Sequence, residues 1–427
     1  MKVLVIGNGG REHTLAWCLA KSETIESVIC IPGNGGTATL NKCQNVNLGV
    51  DDFPAIEQVA IAHSITFIVV GPEAPLAAGI TDYFQPKGYT VFGPNQEGAQ
   101  IEASKAWAKA LMAEAGIPTA KADVFTNAAE AKAYVAAEGA PIVIKADGLA
   151  AGKGVTVAQT VEEANQAIEE AFGGRFGDAG SRVVIEDCLL GQEASVLAIT
   201  DGQTIRPLVP AQDHKAVGEG DTGANTGGMG AYAPTPVVPA ALMERVQKKV
   251  LEPAIATLRS RGIDYRGVLY AGLMITPEGE PKVIEFNCRF GDPETQVVLP
   301  LLDTPLESLL LACAEQRLAD HPPIVWKPSA SACVVLASGG YPGSYQKGFA
   351  ITGIEAAEAT GATVFHAGTA VENNQVVTSG GRVLGVTALG VTFEEAIANA
   401  YKAVDHISFE GLYCRRDIGF RVLGRGD

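Results

Sequence analysis

The first hundred residues alternate short apolar runs with helix-like segments, and every run ends at a glycine. The runs are KVLVIG, SVICIPG, TFIVVG and YTVFG. Strands that alternate with helices in this way predict a parallel, doubly wound α/β sheet. Ligands of such sheets bind beyond the carboxyl ends of the strands. The motifs GNGGREH, PGNGGT, GPEAPL and GPN all fall at this edge, which predicts a ligand site there.

Length, charge and cysteine spacing bound the class of protein. The 427 residues suggest about two to four domains, and a formal net charge of −16 argues against nucleic acid or an anionic membrane as the main partner. The eight cysteines include no C-x-x-C pair, so neither a zinc site nor a disulfide framework is indicated. The first residues suit no signal peptide, and no apolar run approaches the ~18 residues of a membrane helix. We therefore expect a cytoplasmic protein with reduced thiols.

The motif GNGGREH follows a strand and opens a helix. Backbone N–H groups at a helix N-terminus bind phosphate, and Gly9, Gly10 and Arg11 would contribute to such a site. The spacing departs from G-x-G-x-x-G because Glu12 stands at the third glycine position, so a dinucleotide fingerprint is absent. A tight turn without a ligand is the alternative interpretation.

The segment IVIKADGLAAGKGV joins a strand to a glycine-rich turn. Gly148, Gly152 and Gly154 would let backbone N–H groups close over phosphates, and Lys145 and Lys153 would neutralise their charge. Valine rather than serine or threonine follows GKG, which excludes a P-loop. A surface hairpin is the alternative, although burying a lysine without an anion would be costly.

Two further segments carry carboxylates on or beside strands. In VVIEDCLLGQEASV, Glu186 and Glu193 would suit the hydroxyls of a ribose beside a phosphate loop, with a solvated strand edge as the alternative. In PKVIEFNCRFGDPETQ, the alternation of a strand puts Glu285 and Asn287 on one face, roughly 7 Å apart at the backbone, and Val283 shares that face. Two oxygen ligands on one face suit Mg²⁺ when phosphates and waters complete its octahedron. A charge pair that faces solvent is the alternative there.

One long segment between the strands is interpreted as a loop. EGDTGANTGGMGAYAPTP, at residues 219–236, is rich in glycine, threonine and proline and predicts little regular structure. Loops of that length inside compact proteins are usually functional or disordered.

These motifs together resemble the ATP-grasp enzymes. The resemblance lies in Lys105, Lys145, the GLAAGKGV loop, the run E-x-x-L-x-G-x-E that starts at Glu186, and EFN at 285–287. More narrowly, GNGGREH, GPEAPL, DHKA, NTGGMGAY and EFNCRFGDPETQ, in this order, are similar to the glycinamide ribonucleotide synthetases, a family of ATP-grasp ligases. The resemblance covers the whole chain, and five motifs in order make it highly specific.

The resemblance implies an architecture of mixed α/β and α+β type. It comprises an N-terminal doubly wound parallel sheet, a central ATP-grasp unit of two subdomains and a small C-terminal α+β domain. We place the N-terminal substrate domain at residues 1–103 and the ATP-grasp domain at 104–327, with a mobile lid subdomain at about 120–190. The C-terminal domain takes residues 328–427.

The resemblance also implies a reaction of purine synthesis. ATP, glycine and 5-phosphoribosylamine would give glycinamide ribonucleotide, ADP and phosphate by way of glycyl phosphate. Phosphoryl transfer of this kind needs charge neutralisation and positioning more than covalent help from the protein. The metal would be Mg²⁺ or Mn²⁺, and the protein a cytoplasmic monomer with at most weak contacts to other enzymes of the pathway.

Roles for individual residues follow from the same resemblance. Those expected to bind ATP are Lys105, Lys145, Gly148, Gly152, Lys153, Gly154, Glu186, Leu189 and Glu193, with the metal on Glu285 and Asn287. Those expected to bind glycine and the reacting amine are Asp213, Lys215, Asn225, Thr226, Gly227 and Arg289. Those expected to bind the phosphoribosyl group are Gly9, Gly10, Arg11, Asn34 and Glu73. Those expected to act in catalysis are Lys145, Asp213, Arg289 and Asp292.

Three other functions stay open at this point. Another ATP-grasp ligase or carboxylase would share the fold, although GNGGREH together with NTGGMGAY argues against it. A nicotinamide oxidoreductase is discounted by the glycine spacing. A non-catalytic nucleotide-binding regulatory protein would not need DHKA, NTGGMG and RFGD together. The chain also departs from many ATP-grasp enzymes, since GVLYAGLMIT, the strand before EFN, carries no carboxylate to serve as a third metal ligand.

Overall fold

The computed structural model describes residues 1–149 and 154–424. These residues form four sheets of four or five strands and two two-stranded hairpins. None of the helices in this part of the chain combines the length and the apolar character needed to cross a membrane. Short 3₁₀ turns cover Gln85–Lys87, Gly177–Ser181, Glu219–Asp221 and Leu299–Leu301, and π-helical turns cover Ala171–Arg175 and Gln247–Leu251.

The N-terminal unit is a parallel five-stranded sheet between helices. Its elements are β1 (Lys2–Gly7), α1 (Gly10–Lys21), β2 (Ser27–Pro32), β3 (Cys43–Asn45), α2 (Phe53–Ala62), β4 (Phe67–Val70), α3 (Glu73–Ala77), α4 (Ile80–Phe84), β5 (Thr90–Phe92), α5 (Gln100–Ala103) and α6 (Lys105–Glu114). The strand order is β3-β2-β1-β4-β5. The order reverses at β1 and β4, where a crevice forms at the carboxyl ends of the strands. The predicted doubly wound sheet is thus confirmed.

The next unit is an antiparallel sheet that we call the lid sheet. Its elements are β6 (Ala122–Phe125), α7 (Ala128–Glu138), β7 (Ile142–Ala146), β8 (Val155–Ala158), α8 (Val161–Glu170) and β9 (Val183–Asp187). The strands pair in the order β6-β9-β7-β8. Their apolar side chains pack with α7 and α8 into a cluster that includes no residue from the other sheets. The lid sheet is therefore a small hydrophobic unit of its own.

The central unit faces the lid sheet with a second antiparallel sheet. Its elements are β10 (Gln192–Thr200), β11 (Ile205–Pro207), β12 (Gln212–Asp213), β13 (Ala216–Gly218), β14 (Thr222–Asn225), β15 (Gly230–Ala233), α9 (Ala240–Val246), α10 (Glu252–Ser260), β16 (Gly267–Ile275), β17 (Pro281–Asn287), α11 (Thr295–Val298) and α12 (Leu306–Ala314). The sheet order is β11-β10-β16-β17, and β16 with β17 forms the predicted hairpin.

The C-terminal sheet takes two of its strands from the central unit. The remaining elements are β18 (Ala330–Ala337), α13 (Ile354–Glu358), β19 (Thr363–His366), β20 (Thr369–Glu372), β21 (Gln375–Thr378), β22 (Arg382–Gly390) and α14 (Phe393–Val404). The sheet order is β12-β15-β18-β22-β19. The interpretation of residues 219–236 as a loop is partly wrong, because β14 and β15 both lie within them. The glycine-rich composition gives no indication of these two short strands, whose pairing partners lie outside residues 219–236.

A β-bulge in β17 decides which side chains of this strand face inward to the core. A register shift in the pairing of β16 with β17 leaves Ile284 as the extra residue. Beyond it, Val283 packs in the same core cluster as Phe286, whereas Glu285 and Asn287 line a cavity. The expectation that Val283 shares a face with Glu285 is wrong, because the alternation of side chains is interrupted at a bulge.

Two buried histidines join the N-terminal and C-terminal units. The backbone N–H of His366 donates to Nδ1 of His13 at 2.7 Å, and the two rings lie edge to face with centroids 5.5 Å apart. Burial, followed by the neighbouring His366 ring, lowers the pKa of His13 to about 3, and burial lowers the pKa of His366 to about 4. Both rings are therefore neutral in the folded protein at pH 7.

We predict that acidification destabilises the fold through this pair. Both folded-state pKa values lie below the ordinary 6.5, so the unfolded chain binds more protons as pH falls below 6.5. The contribution of the two neutral histidines to the free energy of unfolding is fully present above that pH. Below it, each histidine lowers the free energy of unfolding by up to about 1.4 kcal/mol for every pH unit. Urea unfolding at neutral pH and at about pH 5 measures this slope. His13→Gln should flatten it, whereas His406→Gln, on the exposed His406, should not; equal slopes in all three proteins would contradict the assignment.

Candidate active site

A cavity of about 340 Å³ lies where the N-terminal, lid and central sheets meet. Its charged walls are balanced, with seven cations and seven carboxylates among the described residues. The cations are Arg11, Lys105, Lys109, Lys145, Lys215, Arg289 and Arg382. The carboxylates are Glu73, Glu102, Glu186, Asp213, Glu285, Asp292 and Glu294. A partly buried space can hold so many charges only when they compensate one another.

One end of the cavity is built around the buried carboxylate of Glu186, on β9. Lys145 Nζ lies 3.1 Å from Glu186 Oε1, and Lys109 Nζ lies 3.3 Å from Oε2. Lys145 and Glu186 are each only 4% exposed. Lys145 also donates to the carbonyl of Ile284 at 3.0 Å, which connects the lid sheet to β17. The anion that the buried lysine requires is therefore present within the protein.

Described residues on both sides of the turn after β7 lie at the same end. Lys105 Nζ, at the start of α6, donates to the carbonyl of Gly148 at 2.9 Å. Gly148 and Gly154 both line the cavity. Gly152 and Lys153, which were also predicted to bind phosphate, lie outside the described residues.

The middle of the cavity holds the two oxygen ligands predicted on β17. Partial burial opposes ionisation of Glu285, but the ammonium groups of Lys215, Lys145 and Lys105 hold its pKa below the ordinary value. Lys215 Nζ lies 3.9 Å from Glu285 Oε1. Gly272 is the residue opposite Glu285 on β16, and a Cβ there would lie 3.1 Å from Glu285 Cγ. The glycine therefore makes room for the Glu285 side chain itself.

Arg289 donates hydrogen bonds to three side chains, and one of them is Asn287. Its guanidinium donates to Glu73 Oε2 at 3.2 Å, to Glu102 Oε1 at 2.8 Å and to Asn287 Oδ1 at 3.2 Å. Glu102 also accepts from the backbone N–H of Cys288 at 2.8 Å. An amide oxygen has two lone pairs, so Asn287 Oδ1 can accept from Arg289 and still coordinate a cation.

A second set of acids surrounds Lys215. Lys215 Nζ donates to Glu193 Oε2 at 2.8 Å, while Glu294 Oε1 accepts from the hydroxyls of Ser195 and Tyr270 at 3.1 and 2.9 Å. Burial raises the pKa of Asp213 to about 7, the Lys215 charge working against the shift and the Glu294 and Glu193 charges adding to it. A carboxyl with this pKa can exchange a proton near neutral pH. Burial also raises the pKa of Glu102, which is engaged by Arg289 and Cys288.

The GNGGREH turn differs from an open phosphate loop. The Glu12 carboxylate accepts from the backbone N–H of Gly9 at 2.6 Å and from the side chain of Arg11. It also packs so closely on Gly71 that a Cβ at that position would collide with it. The backbone N–H of Arg11, in the first turn of the helix, donates to Asp292 Oδ2 at 3.3 Å. Carboxylates of the protein thus occupy the place expected for a phosphate in this conformation.

The structure brings most of the predicted site residues into one cavity. Those that line it are Arg11, Glu73, Lys105, Lys145, Gly148, Gly154, Glu186, Asp213, Lys215, Thr226, Gly227, Glu285, Asn287, Arg289 and Asp292. Among the described residues, the predicted ones that do not line it are Gly9, Gly10, Asn34, Leu189, Glu193 and Asn225. Asn34 instead ties its own turn to the backbone of Asn8 and His366, at 2.9 and 2.8 Å.

Four charged residues of the cavity were not predicted. They are Glu102, Lys109, Glu294 and Arg382. Glu294 follows the EFN motif closely in the sequence, and the resemblance assigned it no role. Glu102 and Lys109 lie on α5 and α6 and have the appearance of ordinary surface charges in sequence. Arg382 follows two glycines at the start of β22, and no pattern in its own neighbourhood connects it to the site.

A cleft between two antiparallel sheets, with a buried lysine on one sheet and a carboxylate and an amide side by side on the other, is the arrangement expected of an ATP-grasp enzyme. The chain matches the N domain of phosphoribosylglycinamide synthetase over residues 1–102, its ATP-grasp domain over 103–295 and its C domain over 331–421. It therefore belongs to the phosphoribosylglycinamide synthetase family.

Individual proteins support this assignment. The chain is 69% identical over 423 residues to a phosphoribosylamine–glycine ligase of Nostoc sp., covering 99% of this chain and 100% of that one. A crystal structure of phosphoribosylamine–glycine ligase from Thermotoga maritima superposes with a TM-score of 0.85 at 33% identity, covering 98% and 100% of the two chains.

A more distant structure shares the fold alone. The biotin carboxylase domain of Hydrogenobacter thermophilus 2-oxoglutarate carboxylase, in complex with MgADP, ADP and bicarbonate, gives a TM-score of 0.72 at 17% identity. That alignment covers 97% of this chain and 91% of that one. The predicted family and fold class are confirmed, and the carboxylase, oxidoreductase and regulatory alternatives are not favoured.

We predict that loss of the Glu186 charge destabilises the fold. Glu186→Ala would leave Lys145 and Lys109 without their shared partner, and an uncompensated buried charge costs about 3–5 kcal/mol. The free energy of unfolding in urea measures the loss. Glu138→Ala is the matched control, because its pair with Lys121 at 3.0 Å is exposed to solvent and its removal should have no measurable effect. Similar losses in both variants would show that the buried triad has no special role.

Proposed function

We propose that the chain joins glycine to 5-phosphoribosylamine at the expense of ATP, giving glycinamide ribonucleotide, ADP and phosphate for purine biosynthesis. The observation that carries this proposal is the single cavity in which a lysine-rich end and an arginine- and carboxylate-rich end meet at Glu285. A nucleoside triphosphate suits the lysine-rich end, and a small zwitterion suits the end rich in arginine and carboxylates. The two molecules must meet where these ends join. The family to which the chain belongs supports the same reaction.

The chemistry explains why ATP is needed. A carboxylate is a poor electrophile, so one glycine carboxylate oxygen attacks the γ-phosphorus of ATP and ADP leaves. The amine of phosphoribosylamine then attacks the carbonyl carbon of the glycyl phosphate, and the carbon–oxygen bond to phosphate breaks. The nitrogen loses a proton as the amide forms. Positioning and charge neutralisation account for most of such a rate enhancement.

The end of the cavity around Glu186 is the proposed ATP site. Lys145 and Lys105 would neutralise phosphate charge, while the backbone at Gly148 and Gly154 would approach the phosphates closely. Apolar side chains beside Glu186, among them Met112 and Leu149, suit one face of a base. In this proposal Glu186 exchanges a lysine partner for the nucleotide, and Leu189 and Glu193 border the entrance.

Glu285 and Asn287 fit a magnesium ion. Both present oxygen atoms to the cavity, and the position opposite Glu285 is a glycine. Hard oxygen ligands supplied by one carboxylate and one amide, completed by phosphates and water, are typical of Mg²⁺ sites at nucleotides, and Mn²⁺ accepts the same ligands. When bound, the ion neutralises phosphate charge and fixes the triphosphate. The lysines around Glu285 keep its carboxylate ionised and ready to bind the cation.

The end around Arg289 and Asp292 is the proposed site of the two small substrates. Arg289 would orient the glycine carboxylate, and Lys215, Thr226, Gly227 and Asn225 would frame the glycine. Asp213 would accept the proton that the attacking amine loses. Its raised pKa matches that task, because a base works best when its pKa is near the working pH.

The phosphoribosyl group would lie against the N-terminal sheet. Arg11 and Glu73 line the cavity there, and Gly9, Gly10 and Asn34 stand just behind them. Since Glu12 now holds the N–H of Gly9, a phosphate at the turn would have to displace that carboxylate or bind through Arg11. A cytoplasmic monomer with residues 1–103, 104–327 and 328–427 as its domains completes the proposal.

Omission of single components tests the proposed function directly. Phosphoribosylamine generated in place from ribose 5-phosphate and ammonia is mixed with glycine, ATP and Mg²⁺, and each is left out in turn. ADP release should require all of them and should equal amide product. ADP release without glycine, or with bicarbonate in its place, would overturn the substrate assignment. Glu285→Ala is the negative control for the catalyst, since it removes a metal ligand and should abolish turnover in a folded protein.

We predict a pH dependence that belongs to Asp213. Because this carboxyl must be ionised to accept a proton, kcat/KM for phosphoribosylamine, which follows the free enzyme, should rise as pH increases through about 7. Asp213→Asn should lose roughly 10²-fold or more in kcat and lose this rising limb. Asp320→Asn, at an exposed position, is the control and should keep the wild-type profile. An unchanged limb in Asp213→Asn would exclude this residue as the proton acceptor.

A further inference from the structure

The C-terminal unit contributes one described residue to the wall of the cavity, Arg382 at the start of β22. Its guanidinium reaches two loops of the central unit. One loop contains Thr226, Gly227 and Gly228, and the other contains Asp292. Both loops carry residues of the proposed substrate end, so the arginine lies where it can control their separation.

The hydrogen bonds show how the two loops are held. Arg382 Nη1 donates to the carbonyl of Gly227 at 2.5 Å and to the carbonyl of Asp292 at 2.8 Å. Arg382 Nη2 lies 3.3 Å from Asp292 Oδ1. Burial opposes the charge on Asp292, but Arg382, and after it Arg11, hold the pKa of this carboxyl below its ordinary value. One guanidinium therefore joins both loops and keeps Asp292 ionised.

The first loop is shaped around the guanidinium. A Cβ at Gly227 would lie 2.9 Å from Arg382 Cζ, so the absence of a side chain lets the loop rest on the face of the guanidinium. The same glycine donates its N–H to the hydroxyl of Tyr341 at 3.1 Å, another residue of the C-terminal unit. Thr226 Oγ1 in turn donates to the carbonyl of Lys215 at 2.8 Å. The loop therefore relays the position of Arg382 to Lys215.

The second loop carries the position of Arg382 to the N-terminal unit. Asp292 Oδ2 accepts from the backbone N–H of Arg11, and Oδ1 accepts from Gln296 Nε2 at 2.8 Å. Asp292 is thus the point where the N-terminal, central and C-terminal units meet. Its orientation depends on the cation that pairs with it.

We infer that Arg382 is a positioning residue for the ligation, acting through Asp292 and the loop at Gly227 to place the groups that contact glycine and phosphoribosylamine. This inference rests on the proposed function of the same cavity. The two terminal nitrogens of the guanidinium are engaged with protein oxygens, so Arg382 acts on the substrates through these partners. The guanidinium uses Nη1 for the two carbonyls and Nη2 for the Asp292 carboxylate. The single ammonium nitrogen of a lysine cannot occupy both of these positions.

Steady-state kinetics of Arg382→Lys and Arg382→Ala tests the inference. We expect kcat/KM for glycine and for phosphoribosylamine to fall at least about tenfold in the lysine variant and roughly 10²-fold in the alanine variant, because small misplacements of reacting groups are costly. The KM for ATP should stay within about twofold of wild type, since the lysine-rich end is untouched. Added guanidinium ion should restore part of the activity of Arg382→Ala. Arg416→Lys, whose arginine pairs with Asp405 on the surface at 2.7 Å, is the matched control and should behave as wild type.

A double-mutant cycle separates positioning from direct substrate contact. If Arg382 acts in part through Asp292, the loss in Arg382→Lys combined with Asp292→Asn should be clearly smaller than the product of the two single losses. Additive losses, a parallel rise in the KM for ATP, or unchanged kcat/KM in Arg382→Lys would each overturn the inference. Failure of the proposed function is visible separately, because the wild-type enzyme would then release ADP without requiring glycine.

Discussion

Charge compensation inside the cavity is the constraint on which the rest of the site depends. The whole chain carries a net charge of −16, yet the described residues that line the cavity carry seven positive and seven negative groups. An unpaired ion at this depth would cost several kcal/mol. Six of the seven cations accordingly lie within 4.0 Å of an acid, and the seventh, Lys105, donates to the carbonyl of Gly148. The lining of the cavity therefore has no excess of acidic residues where anionic substrates would bind, in contrast to the chain as a whole.

The same contacts of the lysines would have to be exchanged when a nucleotide binds. Lys145, Lys109 and Lys105 already hold oxygens of the protein, namely the Glu186 carboxylate and the Gly148 carbonyl. Phosphates would replace these partners rather than fill an uncompensated positive pocket. Such an exchange keeps the empty site stable and makes binding energy a difference between two sets of charge-assisted contacts.

The fold could be predicted from sequence where the patterns are local. The alternation of strands and helices gave the parallel sheet, and the hairpin of β16 and β17 followed from two apolar runs and a turn. The bulge at Ile284 could not be predicted, because a register shift is fixed by the partner strand and leaves no mark in the strand itself. The pairing of β15 with β18 was missed for a similar reason, since these partners lie about a hundred residues apart.

The candidate site shows the same division. Glu285, Asn287, Lys145 and Arg289 belong to motifs in which several functional residues are adjacent in sequence. Glu102 and Arg382 reach the site from other elements and are determined by tertiary structure alone. The occupation of the helix start by Glu12 was hidden as well, because a carboxylate three residues inside a helix is also an ordinary capping residue.

The hydrophobic clusters indicate which part of the molecule can move during the reaction. The two largest clusters each combine residues of the N-terminal and central units, such as Leu4 with Leu269 and Val5 with Leu197. The cluster of the lid sheet contains residues of that sheet and its helices only. Contacts that join the lid sheet to the body include Lys145 to the Ile284 carbonyl, Lys105 to the Gly148 carbonyl and Lys109 to the Glu186 carboxylate. Polar contacts can be exchanged with phosphates and water at small net cost, whereas a shared apolar core cannot be opened so easily. The lid sheet is therefore joined to the body by contacts that phosphates can replace, whereas the N-terminal and central units share apolar cores.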